Sequence, residues 1–152
     1  MSTTDFTFVA RTRTSERPTV LLAEGDRITA HVVRHRLERD GVDVHTVEDG
    51  PAALHLLGIL DFDAAVIDAE LDGADGIDIL GRIRGGEVGR PELPILVLTW
   101  PGNDGLAARA YDLDADLVMA RPLSLVILSS SVRRLARRPS LQAVANTGSP
   151  AD

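Results

Sequence analysis

The 152-residue chain contains no cysteine and no lysine. Without thiols, thiolate catalysis, thiolate metal sites and disulfides are excluded, and a reducing cytoplasmic setting is permitted. Without lysine, all sixteen basic residues are Arg, so no ammonium side chain is available to any site. Also missing is an apolar run approaching the roughly 18 residues of a membrane span. The N-terminal MSTTDFTFVARTR lacks the ordered basic, apolar and cleavage zones of a signal peptide. The chain therefore reads as soluble and cytoplasmic.

What is present suits one domain with short tails, able to bury roughly 70% of its unfolded-chain surface without a metal or disulfide staple. The net charge of −7 is unevenly spread. Residues 1–18 carry three Arg against two acids, and residues 133–152 carry four Arg against one, so the acidic surplus lies in the body. Such a body repels nucleic acid, and no direct nucleic-acid binding is expected. The run Arg133-Arg134-Leu135-Ala136-Arg137-Arg138 reads as a solvated helix end that complements the helix dipole.

Residues 1–17 read as a flexible leader, residues 18–138 as the domain and residues 139–152 as a disordered tail with no second domain after it. Within the domain, Thr19 to Ala23 form a buried strand, and Glu24-Gly25-Asp26 follow at its carboxyl end. Asp26 suits a helix N-cap ahead of Ile28, Val32, Val33 and Leu37, and Gly41 stops that helix. Val42 to Val47 alternate imperfectly, as a half-exposed edge strand does. Pro51 opens a helix over Ala53, Leu54 and Leu57. Later come a strand at 94–98 ending at Thr99, a helix through Leu106 and Ala110, a strand at 117–120 ending at Arg121-Pro122, and a last helix through Leu125, Leu128, Val132 and Leu135.

The organising stretch is FDAAVIDAELDGADGIDILGRIR, residues 62–84. Ala64 to Ile67 form an uninterrupted apolar run, as a central parallel strand does, and it breaks off at Asp68. Asp72-Gly73 and Asp75-Gly76 mark turns, and Ile77, Leu80 and Ile83 then recur at helical spacing. Two readings of Asp68 stand at this point: a turn-forming acid, or a reactive group displayed at the carboxyl end of a strand, where open α/β sheets gather their chemistry.

Five strands alternating with five helices make an α/β doubly wound parallel sheet. The uniformly apolar strands belong inside and the alternating second strand at an edge, which the order 2-1-3-4-5 satisfies. That order makes the first and third strands neighbours, so Glu24 and Asp68 should meet at the switch-point crevice. Other chemistries are disfavoured. His31 and His35 are spaced i,i+4 but lack a third ligand. Asp68-Ala69-Glu70 lacks both the D-x-D pattern and the supporting lysine of aspartate-based phosphatases. Glu24-Gly25-Asp26 offers one Gly and two acids where a nucleotide would need a phosphate cradle.

With these residues in place, the chain resembles the receiver domain of bacterial two-component response regulators, the CheY-like family with a flavodoxin-like fold, over about residues 19–136. VIDAELDGADGIDILGRIR and HRLERDGVDVHTVEDGPAALHLL carry the resemblance. It implies a non-enzymatic, stand-alone signalling module in which Asp68 is the phosphoacceptor, Thr99 the switch hydroxyl, and Arg121 stands at the family's lysine position. It implies a Mg²⁺ site made by Glu24, Asp68, the main-chain carbonyl of Glu70 and, in one reading, Asp26. Implied partners are a histidine kinase or phosphotransfer protein, a downstream protein, and a second copy through the fourth and fifth helices.

Four departures accompany the resemblance. Gly25 replaces an acid, so Mg²⁺ binding is expected to be weak. Arg121 replaces lysine and can hold Asp68 in a standing salt bridge. Trp100 replaces a small residue and either covers the approach to Asp68 or packs outward. Val118 stands where many members carry a switching aromatic, and Tyr111 lies too far along the chain to be assigned that part. The alternative reading is a pseudo-receiver, a protein-interaction module that acts without phosphorylation.

Overall fold

A computed structural model describes residues 16–137. The tail expected over 139–152, and the leader expected over 1–17 apart from Glu16 and Arg17, lie outside the described residues. Five parallel strands, β1 (Thr19–Ala23), β2 (Asp43–Val47), β3 (Ala64–Asp68), β4 (Ile95–Thr99) and β5 (Leu117–Ala120), form one sheet in the order β2-β1-β3-β4-β5. Five helices connect or follow them: α1 (Arg27–Arg39), α2 (Gly50–Ile59), α3 (Gly76–Arg84), α4 (Asp104–Asp112) and α5 (Leu125–Leu135). The doubly wound fold and strand order expected from the apolar runs are the ones observed.

The runs are uninterrupted because both sheet faces are covered. Leu21, Ala65, Ile67, Ile95 and Val97 face one way and pack with Ala53 and Leu57 of α2, Ile77 and Leu80 of α3 and Ala110 of α4. Val20, Leu22, Val66, Leu96 and Leu98 face the other way and meet Val33 and Leu37 of α1 and Leu128 and Val132 of α5. Each Val, Leu or Ile among them contributes about 1.5–3 kcal/mol when fully buried. Every residue of β3 and β4 is buried, whereas β2, at the edge, leaves His45 exposed.

Helix starts follow local chemistry. Asp26, Asp49, Asp75 and Ser124 each accept a hydrogen bond at the third amide on, from Thr29, Ala52, Asp78 and Ile127. Those bonds satisfy donors that the first helical turn leaves unpaired. Gly41, at φ +97°, ends α1 in the left-handed conformation that glycine adopts most cheaply.

The order also positions the site. Because β1 pairs with β2 on one side and β3 on the other, the chain leaves these neighbours in opposite directions. A crevice opens above the carboxyl ends of β1 and β3, bringing the loops that carry Glu24 and Asp68 to the same place.

Candidate functional site

Asp68 is the last residue of β3, and Glu24 follows β1 directly. Each acid is fixed by the amide two residues ahead. Asp68 Oδ1 accepts from Glu70 N at 2.9 Å, and Glu24 Oε2 accepts from Asp26 N at 3.0 Å. One oxygen of each carboxylate remains, and both point to the same nitrogen. Arg121 Nη2 donates to Glu24 Oε1 at 2.5 Å and to Asp68 Oδ2 at 3.1 Å. Both N–H bonds of that terminal nitrogen are thereby used, one on each acid.

This three-residue bridge is out of water: the side chains of Glu24, Asp68 and Arg121 are 2%, 10% and 8% exposed. Charge-assisted hydrogen bonds in such surroundings are the strong kind, and removing one partner from them is costly. Arg121 follows β5 and donates its amide to Thr99 O at 2.9 Å, which ties the bridge to the end of β4. Its guanidinium carbon lies 5.0 Å from the centre of the Trp100 ring, within reach of a cation–π attraction. The peptide bond from Arg121 to Pro122 is cis.

Trp100 is 56% exposed and stacks against the cation that holds Asp68. Thr99 is buried at the end of β4, one residue past Leu98, the register partner of Asp68. Asp26 is committed elsewhere. Its Oδ2 accepts from both the amide and the hydroxyl of Thr29, and these bonds, the hydroxyl's first, hold its carboxyl below the ordinary aspartate range. The approach of Gly76 to Asp68 was not legible in the sequence. A side-chain carbon at Gly76 would lie 2.2 Å from Asp68 O, so α3 begins against the backbone of the acid.

Val118 leaves no aromatic on β5, yet one arrives from α4. The Tyr111 hydroxyl accepts from Val118 N at 3.2 Å, and its ring remains half exposed. Tyr111 therefore covers an outward-facing amide of the edge strand, a placement that chain distance alone did not suggest.

As arranged, these residues do not fit a divalent cation. The inner oxygens of Glu24 and Asp68 converge on Arg121 Nη2 rather than on open space, Asp26 serves its helix, and Gly25 has no carboxylate. Mg²⁺ requires near-octahedral oxygen coordination, and here a guanidinium already occupies the place between the acids. Among the described residues, no group of three or more His, Asp or Glu is arranged to hold a metal ion. The expected ligand set of Glu24, Asp68, the Glu70 carbonyl and Asp26 is thus brought to one end of the sheet, with its carboxylates otherwise engaged.

The family model for the response regulator receiver domain matches residues 20–133. The transcriptional regulatory protein CutR of Streptomyces coelicolor is 33% identical over 122 residues, covering 80% of this chain and 55% of CutR. Response regulator MprA of a Mycobacterium species is 33% identical over 124 residues, covering 80% of this chain and 51% of MprA. The chain thus spans about half the length of these curated relatives. Among solved structures, the receiver domain of Francisella response regulator 1452 superposes with a TM-score of 0.75 at 26% identity, covering 82% of this chain and all of that one. The receiver domain of sensor histidine kinase PA1611 from Pseudomonas aeruginosa, described with a magnesium ion coordinated in the active site cleft, gives 0.71 at 25% identity, covering 79% of this chain and 98% of that one. With the sheet order and the matched span in agreement, this chain belongs to the response regulator receiver domain family of two-component signalling.

Proposed function

We propose that this receiver domain signals through protein contacts without taking a phosphoryl group on Asp68. One observation carries the reading: the nitrogen Arg121 Nη2 bonds both acids, leaving neither carboxylate of the crevice free. A carboxylate attacks phosphorus only with an exposed lone pair and with the charge on the transferring group offset. Here each oxygen of Asp68 already accepts an N–H, from Glu70 N and from Arg121, and the cation that would offset that charge is itself shared with Glu24. Exposed Ile28 and Trp100 beside the site border an apolar cleft with Val32, Pro122 and Leu123, a surface suited to a protein partner.

A second reading, acceptance of a phosphoryl group by Asp68 from a histidine kinase or phosphotransfer protein, is favoured by the place of Asp68 at the end of the central strand, with Thr99 at the end of the next. The stand-alone character and the homodimer through α4 and α5, where Val126 and Ile127 of α5 are exposed, are proposals of the same kind.

The two readings separate in one experiment, intact mass after incubation with acetyl phosphate and MgCl₂. An unchanged mass supports the phosphate-independent module. Added mass equal to one phosphoryl group, abolished by Asp68→Asn, overturns it and establishes the second.

A further inference from the structure

Receiver-type crevices concentrate acids, and that charge has to be balanced before the loops around it can close. In this chain the balance is internal. Glu24 and Asp68 contribute two negative charges, Gly25 contributes none, and Arg121 stands between the two acids with a single nitrogen serving both. We infer that Arg121 is a tethered cation that replaces a divalent metal ion in this crevice, making the site indifferent to Mg²⁺, and that Trp100 steadies it from outside. The inference rests on the phosphate-independent reading and specifies how that site is kept in one state.

Three observations support it together. Each carboxylate oxygen has an N–H partner without an ion, while the buried Nε of Arg121 has none. The arginine is placed by main chain as well as side chain, its amide bonded to Thr99 O at 2.9 Å, so the guanidinium is delivered from a fixed point. On its outer side the guanidinium meets the Trp100 ring at 5.0 Å, which favours a charged group there over a neutral one. A metal seated between the same two oxygens would have to take the place of Arg121 Nη2, at the cost of both its bonds.

Gly25 makes the inference separable from a simpler one, that the missing acid alone prevents metal binding. A side-chain carbon at Gly25 would lie 3.3 Å from Glu48 O, tight but within what a small shift of that loop relieves. Gly25→Asp can therefore restore the third acid without removing Arg121. If the arginine is the barrier, the restored acid changes nothing. If the missing acid is the barrier, the restored acid is sufficient.

The experiment uses the full chain as wild type, Gly25→Asp, Arg121→Met and the double variant, and measures thermal midpoint and Trp100 emission with and without millimolar MgCl₂. The chain holds one tryptophan, so its emission reports directly on the group beside Arg121. Wild type and Gly25→Asp should show no Mg²⁺-dependent shift in midpoint or emission. Arg121→Met should gain a Mg²⁺-dependent rise of several degrees, and the double variant a larger one. A saturable Mg²⁺ response in wild type, or one created by Gly25→Asp alone, overturns the inference. If Arg121→Met does not fold in metal-free buffer, wild type and Gly25→Asp still decide the matter. Mg²⁺ binding by wild type without phosphoryl uptake defeats this inference and leaves the proposed function standing; phosphoryl uptake defeats the proposed function.

Discussion

Replacing Arg121 with Met keeps most of the side chain's bulk and deletes the charge that two buried acids share. Breaking a buried ion pair from one side costs about 3–5 kcal/mol, because the partner is left charged and unpaired. Here two partners are left, both accepting from the same nitrogen at 2.5 and 3.1 Å and both at most 10% exposed, so the upper end of that range applies. For a domain of this size each kcal/mol corresponds to about 3–5 °C in melting temperature, giving an expected drop of about 15–25 °C. Circular dichroism melts and urea titrations of Arg121→Met, Glu24→Gln, Asp68→Asn and their combinations measure it. The combinations carry the stronger test. Neutralising all three groups removes the unpaired charges along with the bonds, so the triple variant should recover much of the stability lost in Arg121→Met alone. A loss below about 1 kcal/mol for Arg121→Met, the range of exposed pairs, would refute the reasoning, as would strictly additive effects.

Smaller perturbations test the surroundings. Trp100→Ala should cost less than about 1 kcal/mol, since a half-exposed ring over a cation adds only a modest attraction, and urea unfolding measures it. Gly76→Ala places a carbon 2.2 Å from Asp68 O and should cost about 1–3 kcal/mol in the same assay, because backbone rather than a flexible side chain has to give way. Ser129 donates to Asp40 Oδ2 at 2.5 Å, and this bond first, with Arg36 second, holds the Asp40 carboxyl below its ordinary value. A carboxyl lowered in the folded state stabilises the fold above the ordinary value, and that stabilisation is lost as pH falls toward the folded one. Ser129→Ala should therefore flatten the fall in stability below about pH 4 and raise the Asp40 titration midpoint seen by NMR.

Most of the fold was legible because its signals are local. Apolar runs without alternation mark strands covered on both faces, and the imperfect alternation of Val42 to Val47 marked the edge. Asp26 before α1, Pro51 near the start of α2 and Gly41 after α1 fall where capping chemistry puts them. The meeting of Glu24 and Asp68 was legible too, since it follows from strand order rather than from side-chain detail. What lay hidden was the second bond of the third member. Arg121 was expected beside Asp68, yet its bond to Glu24 joins residues 97 positions apart and depends on where a long side chain settles. The Asp75-Gly76 pair reads as a turn, whereas Asp75 caps α3 and Gly76 opens it against the backbone of Asp68, a packing detail that local sequence does not carry. Tyr111 was set aside on chain distance, though α4 runs back along β5 and delivers its hydroxyl to Val118 N.

The most direct test is a crystal structure grown with MgCl₂ and beryllofluoride, a mimic of a carboxyl-bound phosphoryl group. The account expects Arg121 Nη2 between Glu24 and Asp68, with neither ion nor fluoride density there. Density for Mg²⁺ coordinated by Glu24 and Asp68, with beryllofluoride on Asp68 and the guanidinium swung away, would contradict it.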